Sequence, residues 1–137
     1  MVIKRQIVAA ALTLVVVPLL AACSGTPADP VASARQFDGV PRWVRSPTGT
    51  DCGQVDLGSD GTLPEEALRC LDHISREGRT GTLAWTERTT EGDPVPFFAQ
   101  VDGTAVKVAS NSAYDSYAQG GWTESTCAEL AALPTCR

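Results

Sequence analysis

One stretch of the chain has the spacing of a buried helix face. Four apolar residues recur there at i, i+3, i+4 and i+7, which places them on one side of an α-helix: Ala67, Cys70, Leu71 and Ile74. Thr62 can cap such a helix and Glu65 can complete a capping box, with a proline tolerated in the first turn. Gly78 stands where a left-handed C-terminal residue is expected. These features predict a helix over residues 63–77, with Cys70 turned inward.

After this helix the apolar pattern changes to alternation, which is typical of half-buried strands. Asp102-Gly103 is a strong signal for a tight hairpin turn, and residues 91–94 also have the composition of a turn. The predicted strands cover residues 82–90, 95–101, 104–110 and 122–127. We therefore predict an α+β fold in which one N-terminal helix packs on an antiparallel sheet of about four strands, stapled by disulfides.

The N-terminus has the order of a secretory signal peptide, which is positive, then apolar, then small. Lys4 and Arg5 precede an apolar run over residues 7–20. This run is shorter than the roughly 20 residues that a helix needs to span a bilayer. Leu20-Ala21-Ala22-Cys23 follows and resembles a lipobox, in which the cysteine thiol receives a diacylglyceryl lipid. We predict cleavage before Cys23 and a lipid anchor at that residue, on the extracytoplasmic face of the cell membrane.

The rest of the chain divides by composition. Residues 1–22 form the predicted signal peptide, residues 23–50 a lipidated flexible tether rich in Ser, Gly, Thr, Pro and Ala, and residues 51–137 a single domain. Within the tether, Arg42-Trp43-Val44-Arg45 can dock either on the domain itself or on a partner, and docking on the domain is the prediction.

Charge excludes one class of partner. The whole chain has 11 basic and 16 acidic residues, and the predicted signal peptide removes two of the basic ones. Lys107 is then the one lysine that is left. Nucleic-acid binding and electrostatic adhesion to anionic lipid both need clustered Lys and Arg. We therefore expect no nucleic-acid partner.

Four cysteines remain besides Cys23. An even number in a small exported chain indicates two disulfides. Three pairings are possible, and we favour Cys52–Cys70 with Cys127–Cys136 because each closes a short local loop. Zinc is the competing interpretation, but the spacings contain no C-x₂-C pair and the compartment is oxidising. We expect no metal and no cofactor other than the covalent lipid.

Several short motifs of the second half occur together in a fixed order. They are Thr90-Glu91-Gly92-Asp93-Pro94, Val101-Asp102-Gly103, Asp115 with Tyr117, and Thr126-Cys127. This series resembles an uncharacterised domain family of small lipoproteins in Gram-positive bacteria. The resemblance covers roughly residues 80–129, and the family pattern has a basic residue, Phe and Gly after the aspartate where this chain has Ser116-Tyr117-Ala118. It implies the anchor and the hairpin, and no catalytic residue.

Candidate catalytic and metal-binding residues are few. His73 is the only histidine, and on the predicted helix it faces away from the apolar side with Glu66 and Glu77. It can act as a general base, but a solvated surface histidine is favoured because no nearby motif supplies a nucleophile. A calcium loop starting at Asp56, with Asp60 inside it, would have Ala67 at the position that requires glutamate. The carboxylate pairs that could hydrolyse sugars are Glu91 with Asp93 and Asp115 with Glu124.

A polar loop before the last strand carries the candidate binding residues Tyr114, Asp115 and Tyr117. Aromatic side chains among Asn, Ser and Asp suit a binding surface because they offer contact area at low entropy cost. Trp122 is expected to cover the sheet edge. The leading hypothesis is a non-enzymatic, lipid-anchored module that binds another envelope protein or a wall ligand. The alternatives are an inhibitor or modulator of a secreted enzyme and, last, a small envelope hydrolase.

Overall fold

The computed structural model of the protein describes residues 25–59 and 61–136. The predicted signal peptide and the predicted lipid site Cys23 therefore lie outside the described residues. Within the described chain the elements are α1 (Pro30–Ala34), α2 (Arg42–Arg45), β1 (Thr50–Gly58), α3 (Glu65–Arg76), β2 (Thr80–Arg88), β3 (Pro94–Asp102), β4 (Ala105–Asn111), β5 (Trp122–Cys127) and a 3₁₀ helix η1 (Leu130–Ala132).

The five strands form one mixed sheet in the order β1-β2-β3-β4-β5. Strand β1 runs parallel to β2, and the other neighbours are antiparallel. The four predicted strands correspond to β2–β5 and are antiparallel, but the prediction of about four strands in an antiparallel sheet is wrong because it lacks the parallel strand β1. Strand β1 is not evident in the sequence because its pairing with β2 is irregular between Asp51 and Gln54, which interrupts the alternation, and because only Leu57 in it is buried. It is parallel to β2 because α3 carries the chain back across the sheet between them.

Helix α3 lies within the range predicted for it. Its buried residues Ala67, Leu71 and Ile74 face the sheet, where Leu83 and Val101 belong to the same core. The N-cap is Pro64, and no side chain caps the helix there, so the predicted capping box of Thr62 and Glu65 does not form. At its C-terminus the helix is followed, as predicted, by a glycine in the left-handed conformation, Gly78.

That glycine closes a double hydrogen-bonded turn. Gly78 has φ of +65°, and its N–H donates to the carbonyl of Ser75 over 3.0 Å while the N–H of Arg79 donates to that of Ile74 over 3.1 Å. This is the Schellman arrangement, which satisfies carbonyls that the helix leaves unpaired. The chain then enters β2 directly.

Helices α1 and α2 cover the opposite face of the sheet, so the prediction of a flexible tether over residues 23–50 is wrong for residues 30–50. Their apolar side chains form a second core with three sheet residues: Val31, Ala34, Val40, Val44, Ala84, Phe98 and Ala109. The four members that precede β1 are Val31, Ala34, Val40 and Val44. Few other apolar residues stand near them, and so sparse a pattern among Pro, Ser and Gly is typical of a linker. They fold because β2 and β3 are buried on both faces and need a cover on each.

Polar contacts also hold this segment. Asp29 caps α1 by accepting from the N–H of Ala32 over 2.9 Å, and the same oxygen accepts from Nε2 of Gln54 in β1 over 3.1 Å. Trp43 packs on the second core and its Nε1 donates to Glu124 in β5 over 3.1 Å. The Trp43 segment therefore docks on its own domain, as predicted.

Both disulfides have the pairing that we predicted. Cys52 in β1 is joined to Cys70 in α3 with a Cα–Cα distance of 5.8 Å, and Cys127 at the end of β5 to Cys136 with 5.5 Å. The first ties the edge strand to the helix that packs beside it. The second holds η1 and the C-terminal segment against the sheet.

Candidate functional site

The loop that carries the candidate binding residues spans residues 112–121 between β4 and β5 and is called here the 112–121 loop. It lies at the same end of the sheet as the turn over residues 89–93, because Arg88 is paired with Pro94 and Asn111 with Trp122. Two connections that are distant in sequence therefore meet at one end of the domain.

Hydrogen bonds define the base of the 112–121 loop. Asn111 is buried, and its Oδ1 accepts from the N–H of Ala113 over 2.8 Å. The N–H of Ser112 donates to the carbonyl of Gly121 over 3.2 Å, which closes the loop on itself. The loop thus leaves and re-enters the sheet at a defined position.

The Asp115 carboxylate shapes the tip of the loop. Its Oδ1 accepts from the N–H groups of Tyr117 over 2.9 Å and Ala118 over 3.2 Å. Such aspartate-centred turns substitute a side chain for a backbone acceptor. Asp115 is therefore a residue that builds the loop rather than one that projects from it.

A second carboxylate joins the loop to the neighbouring turn. Oδ2 of Asp93 accepts from the backbone N–H of Ser116 over 2.8 Å. The pKa of Asp93 lies below its usual value, because the backbone N–H and then the side chain of Ser116 hydrogen-bond to the charged form. Asp93 is itself held by the hydroxyl of Thr89, which accepts from its N–H over 3.1 Å.

The two tyrosines have opposite environments. The Tyr114 ring packs on Phe37 with a centroid distance of 5.4 Å. Burial raises the pKa of the Tyr114 hydroxyl, and a hydrogen bond with the Ser33 side chain acts in the other direction. Tyr114 thus fastens the loop to the segment that begins with α1.

Tyr117, by contrast, is 81% exposed, and among the described residues it is the large hydrophobic side chain that projects into solvent. The structure does not bring the three candidate residues onto one surface. Tyr114 packs inward, Asp115 forms the turn, and Tyr117 is the side chain that can contact a partner.

A groove of about 520 Å³ runs beside the loop. Its walls come from three distant segments and include Gly25, Thr26, Phe37, Asp93, Tyr114 and Ser116. The sequence does not predict this groove, because the composition of residues 25–37 predicts a tether. A signal for it was present in the chain as the apolar spacing of Val31 and Ala34 ahead of Phe37.

The residues considered for catalysis have structural contacts. His73 is 72% exposed on α3, with Nε2 at 3.4 Å from Oε1 of Glu77. The pKa of Glu77 is lowered, first by its hydrogen bond with Arg79 and less by His73. His73 is thus paired with Glu77 on an exposed helix face.

Most of the carboxylates considered for sugar hydrolysis and for calcium binding also accept hydrogen bonds from within the domain. Asp93 and Asp115 both accept backbone N–H groups, and Glu124 accepts from Trp43. Asp56 accepts from the N–H of Gly58 over 3.0 Å and pairs with Arg88 over 3.1 Å, while Asp60 lies outside the described residues. Over residues 25–59 and 61–136, no group of three or more His, Cys, Asp or Glu side chains is placed to hold a metal ion.

The helices of the described chain are all too short or too polar to cross a membrane. Compared with known protein families, curated proteins and solved structures, the chain matches none of them. The resemblance to a family of small lipoproteins therefore stays a prediction.

Proposed function

We propose that the protein is a non-enzymatic binding module, anchored by a lipid on Cys23 to the outer face of the cell membrane. In this proposal the 112–121 loop is the contact surface and Tyr117 is its central side chain. The disulfide-linked sheet serves as the rigid base that holds the loop in place.

The observation that carries the proposal is an exposed tyrosine on a loop with a constrained backbone. The N–H groups of Ser116, Tyr117 and Ala118 are all bonded to carboxylates, of Asp93 in the first case and of Asp115 in the other two. A side chain presented in this way loses little conformational entropy when it binds. Tyrosine also supplies a large contact area with a polar tip, a combination that is common in binding surfaces.

The anchor rests on the N-terminal sequence. A positive segment, an apolar run and Leu20-Ala21-Ala22-Cys23 follow one another in the order that export and lipidation require. Two or more acyl chains on one protein make a stable anchor, whereas a single chain is marginal. Helix α1 begins at Pro30, so the segment that connects the proposed anchor at Cys23 to the domain is short.

Crosslinking in intact cells tests the proposal. We would compare the wild type with Cys23→Ala, Tyr117→Ala and, as a matched control at the opposite end of the sheet, Thr104→Ala. A specific adduct that is retained in Thr104→Ala and lost in the other two variants is the expected result. An adduct unaffected by Tyr117→Ala would refute the assignment of the loop.

The identity of the adduct separates the alternatives. An envelope protein without enzymatic activity supports a binding module. A secreted protease or wall hydrolase that the purified domain blocks in stoichiometric amounts would favour an inhibitor, and substrate turnover by the purified domain would favour a hydrolase.

A further inference from the structure

The chain from the predicted lipid site enters the domain beside the 112–121 loop. Gly25 and Thr26 line the same groove as Tyr114 and Ser116. Thr26 follows Cys23 by three residues, and three residues extend over at most about 10 Å. If Cys23 is lipidated, as proposed above, this end of the domain is held close to the bilayer.

The opposite end of the sheet lies far from the anchored end. Strand β2 begins at Thr80, which is paired with Asp102 beside the β3–β4 hairpin, and ends at Arg88 beside the 89–93 turn. At about 3.3 Å per residue, the nine residues of β2 separate these two ends by roughly 27 Å. The headgroup layer of one leaflet is only about 5–7 Å thick. The loop end can therefore reach the headgroup layer from the anchor, whereas the opposite end cannot do so while the sheet stands upright.

The 112–121 loop also has the chemistry of a lipid-facing surface. Its residues are Ser, Ala, Tyr, Gln and Gly apart from Asp115, and the Asp115 carboxylate is turned onto the N–H groups of Tyr117 and Ala118. Outside the loop, Asp93 is directed at Ser116, Glu91 is exposed in the adjacent turn, and Glu87 and Arg88 line a pocket with Ser112. The loop itself thus carries one charged side chain, and that carboxylate is occupied by backbone N–H groups.

Tyrosine is enriched where membrane proteins meet the headgroup layer, because its ring is apolar and its hydroxyl stays hydrated. Tyr117 is the exposed tyrosine, whereas the Tyr114 ring is packed on Phe37. We infer that the partner of the 112–121 loop is the lipid surface itself: Tyr117 enters the headgroup layer and provides a second, non-covalent attachment. This inference rests on the proposed anchor at Cys23.

The consequence is a fixed orientation of the domain. A single covalent anchor on a short segment leaves the domain free to rotate, whereas two attachments at one end hold the sheet upright. The β3–β4 hairpin and the C-terminus of α3 then face away from the membrane. Any soluble partner meets that end first.

Fluorine NMR tests the inference with little perturbation, since the sequence contains only two tyrosines. The full exported chain would be labelled with 3-fluorotyrosine and placed in phosphatidylcholine nanodiscs, with Tyr117→Phe used to assign the two signals. A water-soluble gadolinium chelate and a headgroup spin label would be added separately. Each reports how close a ring lies to water or to lipid.

We expect the Tyr117 signal to relax at least threefold faster with the lipid spin label. We also expect it to lose at least half of the gadolinium effect that it shows in the unlipidated Cys23→Ala protein. Tyr114 serves as the internal reference. As a matched probe at the far end, the Tyr introduced by Thr104→Tyr should respond to gadolinium equally in both forms.

The outcomes separate the inference from the proposed function. The mass of the N-terminal peptide reports the lipid directly, and an unmodified Cys23 overturns both. A lipidated chain whose Tyr117 responds to gadolinium as in Cys23→Ala overturns the membrane contact alone. A Tyr117-dependent crosslink to a protein, with no lipid spin-label effect, assigns the loop to a protein partner instead.

Discussion

The carboxylate of Asp93 accepts a hydrogen bond of 2.8 Å from the backbone N–H of Ser116, across 23 positions of sequence. This bond joins the turn between β2 and β3 to the 112–121 loop between β4 and β5. Because Asp115 orders the tip of the same loop from within, two carboxylates together set the position of Tyr117.

Removing the Asp93 carboxylate should loosen the loop without unfolding the domain. In Asp93→Ala we expect the amide of Ser116 to exchange with deuterium at least several-fold faster, because its acceptor is lost. Hydrogen exchange with site resolution measures this. Glu91→Ala is the matched control, since it removes an exposed carboxylate from the same turn. Equal exchange in both variants would contradict the role of Asp93.

The same contact should depend on pH in a defined direction. The pKa of Asp93 is lowered from 3.8 in the folded protein by the hydrogen bonds from Ser116. A lowered folded pKa means that the contact is fully present above about pH 3.8 and is lost as the pH falls through the folded value. Protection of the Ser116 amide, corrected for intrinsic exchange, should therefore be constant from neutral pH down to that range and decrease below it. A decrease centred near neutral pH would assign the effect to another group.

The two tyrosines should differ sharply in their effect on stability. Tyr114→Ala removes the contact with Phe37 and the hydrogen bond to Ser33, which should lower the free energy of unfolding by about 1–2 kcal/mol. Tyr117→Ala should change it by less than about 0.5 kcal/mol, as for other exposed side chains. Chemical denaturation of the two variants gives the comparison. A large loss for Tyr117→Ala would mean that this ring has a structural role.

The N-terminal segment should behave as part of the core. Val44 is the buried residue of α2 and is 2% exposed, so Val44→Ala should lower the free energy of unfolding by about 2 kcal/mol. The adjacent Arg45 is exposed, and Arg45→Ala should be nearly neutral. Equal, small effects of both substitutions would support the flexible tether that the sequence pattern predicts.

Each disulfide should contribute to stability according to the loop that it closes. Replacing Cys52 and Cys70 together by Ala should lower the free energy of unfolding by about 3 kcal/mol in the chain-entropy model, a decrease in Tm of roughly 10–20 °C for a domain of this size. Replacing Cys127 and Cys136 together should have a similar effect. Thermal unfolding of the two double variants, with both proteins checked for native circular dichroism at low temperature, measures it.

Local patterns in the sequence were sufficient for part of this protein. The 3.6-residue period of Ala67, Leu71 and Ile74 predicts α3, and alternation with Asp102-Gly103 predicts the hairpin of β3 and β4, because these signals arise within one element. The disulfide pairing follows from loop length for the same reason. The pattern that predicts export and an anchor at residues 1–23 is likewise local.

Only the tertiary structure decided what covers the sheet and what the loop displays. Strand β1 has no continuous alternating pattern because its pairing with β2 is irregular between Asp51 and Gln54, and α1 and α2 fold only because the second face of β2 and β3 requires a cover. Tyr114 and Tyr117 are three positions apart and indistinguishable by residue type. In the folded protein Tyr114 packs on Phe37, whereas Tyr117 is exposed. This difference depends on the contact with Asp93 and on the segment around α1, which precedes the loop by some eighty residues. No local sequence pattern contains such long-range contacts.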